Sequence, residues 1–217
     1  MLEDFIKKSD GEQKKSYQQD LLKLYDEWLI NFPAYNGRSI VGQIISNKAQ
    51  KMIDYKLASN NEIFEIFEKA YQTDPVSFDD PKPLYNYFKT YFQLYKQGDN
   101  GITLNQIFNK YEELSERFNS IIDQYSKQID IIINKENSGV ALTSREKRNK
   151  RVYETNSNAS NIYLRNLNAI IAKESTCENL IPLYKKNLEE NKTNPIWLNR
   201  AASRMDSKEC SDDPLFV

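Results

Sequence analysis

Apolar residues recur along this chain mostly at steps of three and four, the spacing that gathers side chains on one face of an α-helix. In "SYQQDLLKLYDEWLINF" they are Tyr17, Leu21, Leu24, Tyr25, Trp28 and Leu29, and Pro33 followed by Asn36-Gly37 stops the run. A second helix is expected through Ile40, Ile44, Ile45, Met52 and Ile53. Ser59 with Glu62 forms a capping-box pair, so a third helix opens there and closes near Asp74-Pro75. The fourth starts around Pro81 or Pro83, carries Leu84, Tyr85, Tyr87, Phe88, Tyr91, Phe92 and Tyr95, and ends at "QGDNG".

The next two helices are longer. Thr103 with Gln106 caps the fifth, whose apolar positions are Leu104, Ile107, Tyr111, Leu114, Phe118, Ile121, Tyr125, Ile129 and Ile132, close to a heptad seam. Roughly 30 helical residues extend about 45 Å. "ENSGVAL" breaks the pattern, and Thr143 with Glu146 caps a sixth helix of similar length, to about Glu174. The two read as a long antiparallel hairpin, its outer part solvated because the first half of the sixth helix is polar. Ser175 with Glu178 caps a seventh helix, and Asn194-Pro195 begins an eighth through Trp197, Leu198, Ala201, Ala202 and Met205. The closing "SDDPLFV" supplies an N-cap and a proline at the first helical position, so another helix is expected to start there and the chain reads as part of a longer protein.

Composition narrows the function classes. With 39% hydrophobic and 28% charged residues the 217-residue chain has material for a packed core, and 6 glycines are too few for an all-β chain of tight turns. A net charge of −1 gives no overall basic field, so no nucleic-acid partner is expected. Histidine is absent, which removes Ser-His-Asp and Cys-His catalysis and most zinc sites; no Gly-rich phosphate loop occurs either. We therefore expect no catalytic residue, cofactor or metal site. No apolar run approaches the roughly 20 residues that span a bilayer, so no transmembrane segment is expected. The N-terminus lacks the apolar stretch and cleavage site of a signal peptide, leaving a cytoplasmic protein or an exported one whose leader is not in this sequence.

Three stretches align: "YDEWLINFP" (Tyr25 to Pro33), "FEKAYQTDP" (Phe67 to Pro75) and "YKKNLEENK" (Tyr184 to Lys192). Each has an aromatic first, a large apolar residue four places on, and a helix end soon after. Here the sequence resembles the tetratricopeptide repeat family, whose second helix reads aromatic, two variable, small, apolar, three variable, proline. Phe67, Ala70, Tyr71 and Pro75 match, as do Tyr25, Leu29 and Pro33. Trp28 replaces the small residue in the first copy, and Asn187 and Lys192 depart from the pattern in the third. The first two copies lie 42 residues apart rather than the family's 34, and the glycine of its close helix contact is missing. The chain is also similar to exported repeat proteins of the Bacteroidota, through "QDLLKLYDEWL", "ALTSREKRNKRVY" and "CENLIPLY" followed by "WLNRAASRM" and the second cysteine with "DDPLF". In those proteins a signal peptide precedes such a region and more regular repeats follow. The resemblance implies a periplasmic or otherwise exported protein without a defined activity, and carries over no catalytic residue.

Cys177 starts the seventh helix and Cys210 lies just past the eighth, so in an antiparallel hairpin the sulfurs could meet. Geometry and the resemblance together favour a bond over two ordinary thiols; closing about 33 residues contributes roughly 3–4 kcal/mol on the chain-entropy model and suits an oxidising compartment. "LYNYFKTYFQLY" presents Tyr85, Phe88, Tyr91, Phe92 and Tyr95 with Tyr87 partly to the side, more aromatic surface than one buried stripe needs; they are core, or they line a groove that grips a peptide, with Tyr87, Tyr91 and Tyr95 the first candidates. Arg145, Lys147, Arg148, Lys150 and Arg151 are a solvated helix tip, or a patch for a phosphate or an acidic partner. Asp79-Asp80, Glu189-Glu190 and Asp212-Asp213 fall at turns and helix ends, where capping explains them.

The expected architecture is all-α: stacked antiparallel helical hairpins of a tetratricopeptide-like solenoid, with one long inserted hairpin. The expected segments are helical repeats over 1–100, the long hairpin over 101–174 and a C-terminal hairpin over 175–217. The expected role is non-catalytic protein–protein interaction or scaffolding with a protein or peptide partner. Nucleic-acid or anionic-surface binding through 145–151 is the alternative.

Overall fold

The computed structural model describes residues 1–98 and 101–210. Among them the chain forms nine α-helices and one short ribbon: α1 (Leu2–Lys8), α2 (Gly11–Asn31), β1 (Ala34–Tyr35), β2 (Arg38–Ser39), α3 (Val41–Tyr55), α4 (Asn60–Thr73), α5 (Pro81–Gln97), α6 (Leu104–Asn137), α7 (Ser144–Ala172), α8 (Cys177–Asn191) and α9 (Pro195–Asp206). The protein is all-helical, with neighbouring helices packed on one another. "SDDPLFV" and the Asp99-Asn100 pair of "QGDNG" lie outside the described residues. Two compact units are present, Met1–Leu164 and Arg165–Val217.

The capping pairs form as the sequence implies. Ser59 Oγ accepts from the Glu62 amide while Glu62 accepts from the Ser59 amide, and Thr103 with Gln106 does the same at α6. Asp80 caps α5 by accepting from Lys82 N at 3.1 Å, and Asn194 caps α9. One cap differs. Thr176, not Ser175, stands at the N-cap of α8, because the Ser175 hydroxyl donates back to the Ile171 carbonyl at 2.9 Å and serves the end of α7. Two elements escaped the sequence pattern. Helix α1 is too short to show a period, yet it buries Ile6 and its Glu3 pairs with Lys51 of α3 at 2.5 Å. The Asn36-Gly37 stop is the turn of the β1–β2 ribbon, both residues taking the positive φ such a turn needs.

In the first unit α5 packs against α3, α4 and α6. Its buried set, Leu84, Tyr87, Phe88, Tyr91 and Leu94, therefore covers more than one stripe. From α4 come Ile63, Phe67 and Ala70, at positions i, i+4 and i+7. Phe67 stacks on Phe78, with ring centroids 5.9 Å apart, and Tyr87 lies against Phe64, Phe67, Tyr71 and Phe78. Gly42, at the start of α3, meets the segment after α4 so closely that a Cβ there would lie 2.1 Å from the Asp74 carbonyl oxygen. The Asp74 carboxylate fastens the same junction, accepting from Ser39 Oγ and Ser77 Oγ at 2.6 Å each. Burial opposes its ionisation, but those hydrogen bonds prevail and hold the group below the usual carboxylate range.

The aligned repeat stretches end α2, α4 and α8 but are buried unequally. Phe67, Ala70 and Tyr184 are buried, whereas Trp28 is 43% exposed. In the second unit α8 packs on α9, and Tyr184 meets Trp197 edge-on at 5.5 Å and accepts from Arg204 at 2.7 Å. Cys177 and Cys210 are joined by a disulfide, their Cα atoms 5.4 Å apart. Glu209, with φ +57°, turns the chain past α9 so that Cys210 comes back to the start of α8.

Candidate functional site

Three of the sequence's candidate residues are tyrosines on α5. Tyr87 is fully buried and Tyr91 is 9% exposed, so of the two readings, core or peptide groove, these two side chains take the core one. The reason is that α5 is covered on more than one side, so its surplus aromatic stripe fills a second interface within the core. Tyr95 is half-buried, its ring centroid 5.9 Å from that of Phe92 and 5.8 Å from the Lys96 ammonium.

Tyr87 belongs to an internal polar network. Its hydroxyl donates to the Glu68 carboxylate and accepts from Lys110 at 3.0 Å. Lys110 also pairs with Glu113 at 3.0 Å and lies 5.7 Å from the Tyr71 ring centroid. Burial and the Glu68 carboxylate push the Tyr87 hydroxyl far up. Burial and then Glu113 raise Tyr71 to about 12. Glu68 stays below the usual carboxylate range: burial opposes its charge, but Tyr87, Gln72 and Lys110 outweigh it. Arg117 extends the network from α6, donating to the Val76 carbonyl at 2.7 Å. The cluster joins α4, α5 and α6, and one of its polar atoms, the buried Arg117 Nε, has no hydrogen-bond partner among the described residues.

The basic candidates sit on the outer part of the α6–α7 hairpin, where α7 has no buried residue before Ser160. The two helices run antiparallel. Lys135 pairs with Glu146 and Lys150 with Glu136, each at 2.6 Å; nearer the base, Asn156 donates to the Tyr125 hydroxyl at 3.2 Å. Thr143 and Glu146 complete the cap, and the Lys135 hydrogen bond followed by those from Thr143 lowers the Glu146 carboxyl to about 2. Lys150 is thus spent on holding the hairpin. Its ammonium is raised, chiefly by the hydrogen bond to Glu136.

The remaining cations divide. Lys147, Arg148 and Arg151 line one shallow groove of about 420 Å³, while Arg145 is exposed and does not line it. The groove follows two adjacent i, i+4 rows of α7: Ser144, Arg148, Val152 and Asn156 in one, Lys147, Arg151 and Thr155 in the other. None of its three cations has an acidic partner among the described residues. Sequence reading took the patch as a run of charge and missed Val152, Thr155 and Asn156. Their spacing of four from Arg148, Arg151 and Val152 was the available signal.

Among the described residues no helix is long and apolar enough to cross a membrane, and no group of three or more acidic or thiol side chains is placed to hold a metal ion. No protein-family model, curated protein or solved structure matches the chain.

Proposed function

We propose that this chain is a non-catalytic protein-interaction or scaffolding module, a tetratricopeptide-like array of helical hairpins that works outside the reducing cytosol. The observation that carries the reading is the α7 groove, where Lys147, Arg148 and Arg151 stand without acidic partners on a hairpin whose other lysines are paired. A cation row beside an exposed valine suits an acidic protein segment, with charge setting encounter and register and Val152 adding apolar contact. The packing of α5 on both α3 and α4 supports the repeat-array reading, and the Cys177–Cys210 bond supports export.

A photo-crosslinking residue at Val152, in cells that make the protein, tests the mode of action. A single protein adduct that disappears in the Lys147→Glu, Arg148→Glu, Arg151→Glu variant is the expected result. A nucleic-acid or lipid adduct would move the reading to the second function, anionic-surface binding, which the same cations favour and which predicts steeply salt-dependent binding. Adducts unaffected by charge reversal would end both. Peptide mapping without reductant, with thiols blocked at lysis, tests the compartment: two blocked free thiols in native protein would return it to the cytoplasm.

A further inference from the structure

Building on the reading of the α7 groove as a protein-docking surface, we infer that its occupant is helix α2 of a second copy of this chain, so that the protein associates head to tail. The groove lies between two adjacent i, i+4 rows of α7, one through Arg148 and Val152 and the other through Lys147 and Arg151. A furrow between such rows receives a ridge of the same spacing on another helix. The matching ridge is apolar, with acidic side chains beside it to meet the cations.

Helix α2 carries such a ridge. Asp20, Leu24 and Trp28 follow one another at i, i+4 and i+8, and Leu24 and Trp28 are 47% and 43% exposed. Phe32, the C-cap residue, extends the exposed apolar surface. Glu27 stands in the adjacent row, exposed and without a cationic partner among the described residues. Asp20 has Lys23 one turn on at 3.8 Å, an exposed pair that water makes nearly worthless. The helix packs on α1 and α3 through its other side, where Gln18 and Leu21 are buried. Single exposed apolar residues are ordinary, but a row of them that includes tryptophan is the anchor of an interface.

The acidic, aromatic face of α2 and the basic, aliphatic face of α7 are thus complementary, and both belong to the unit Met1–Leu164. Trp28 and Val152 both stay exposed in the folded chain, so the two faces do not cover each other within one copy. Pairing α2 with α2 would set Asp20 and Glu27 against like charges, and pairing α7 with α7 would do the same to its cations. The contact is therefore heterologous, and each pair of copies keeps one α2 face and one α7 groove for further copies.

Sedimentation velocity of the full chain over a range of concentrations tests this. Self-association that weakens as salt is raised is the expected result. Leu24→Ser with Trp28→Ser on α2, and Lys147→Glu with Arg148→Glu and Arg151→Glu on α7, should each weaken it by roughly tenfold or more. Asp20→Asn with Glu27→Gln, at exposed positions that leave the core untouched, should weaken it and flatten its salt dependence. Mixing the first two variants decides the geometry. The intact groove of one meets the intact α2 of the other, so a 1:1 dimer should form and grow no further. A chain that stays monomeric at every concentration, association unchanged by the α7 variant, or a mixture that yields no dimer would overturn the inference. A monomeric chain whose Val152 still crosslinks to a different protein, dependent on the α7 cations, would overturn it while leaving the protein-docking reading in place.

Discussion

Helices α4 and α7 begin alike and end up in different worlds. Each opens on a hydroxyl residue with glutamate three places on, and each builds the reciprocal cap, Ser59 with Glu62 and Thr143 with Glu146. Beyond the first turn they diverge. Along α4, Ile63, Phe67 and Ala70 face inward and the helix packs between α3 and α5. Across its first sixteen residues, Ser144 to Ala159, α7 buries nothing and carries Arg145, Lys147, Arg148 and Arg151 into solvent. A cap thus specifies where a helix starts, and only the stripe that follows decides whether it becomes core or a surface free to bind.

Truncating that stripe gives the largest contrast. Phe67→Ala should cost about 3–5 kcal/mol, since it removes a fully buried ring and leaves a cavity among Phe78 and Tyr87. Val152→Ala in the α7 groove, 47% exposed, should stay within about 0.5 kcal/mol. Urea unfolding of the two variants checks both figures, and similar costs would mean that α7 is not a solvated helix.

The next effect concerns the end of α4. Gly42→Ala places a methyl group against the Asp74 carbonyl, backbone against backbone, so neither side can yield by changing rotamer. A loss of about 2–3 kcal/mol is expected, the upper range for overpacking. If the variant melts with the wild type, the start of α3 and the segment after α4 do not meet as described.

Most helices were readable before the structure because capping pairs and three-four periodicity are local properties. The long seam of α6 is one case: Ile107, Tyr111, Leu114, Phe118, Ile121 and Ile132 are buried as the pattern implies, while Leu104, Tyr125 and Ile129 are half-buried. What could not be read depends on partners distant in sequence. Tyr87 and Tyr91 look like spare surface until α6 is known to cover α5 as well. Gly42 looks like an indifferent helical residue until Asp74 arrives beside it. In the α7 groove the charges were legible but their division was not, because Lys150 is withdrawn by Glu136 across the hairpin. Cys177 and Cys210 were an intermediate case, since helix ends place them together once the α8–α9 hairpin is assumed.

Removing the caps themselves should have equal local and unequal global consequences. Ser59→Ala and Thr143→Ala each lose one N-cap, worth about 1 kcal/mol. In α4 that loss should appear in the stability of the whole unit. In α7 it should appear as faster hydrogen exchange near residues 143–147 with little change in the unfolding midpoint, because local opening there exposes no core. Equal shifts of the midpoint would show that the hairpin tip unfolds with the core.

The smallest effect separates the two glutamates. Both carboxyls lie below their ordinary 4.5: Glu62 through hydrogen bonds from the Ser59 backbone and side chain, Glu146 down to about 2 because Lys135 donates to it in addition to Thr143. A depressed carboxyl stabilises the fold above its ordinary value, and that contribution fades as the pH falls towards the folded value. On acidification Glu62 should therefore titrate first, with Glu146 holding its proton off until about pH 2. Lys135→Met removes the largest cause and should raise Glu146 towards Glu62. High salt should do part of the same, since both partners reach solvent. Carboxyl-carbon NMR titration reads both groups in one experiment. If Glu146 protonates together with Glu62 in the unaltered protein, the Lys135 contact does not hold across the hairpin. The cations of α7 would then lose the anchored frame that keeps Lys147, Arg148 and Arg151 facing one groove.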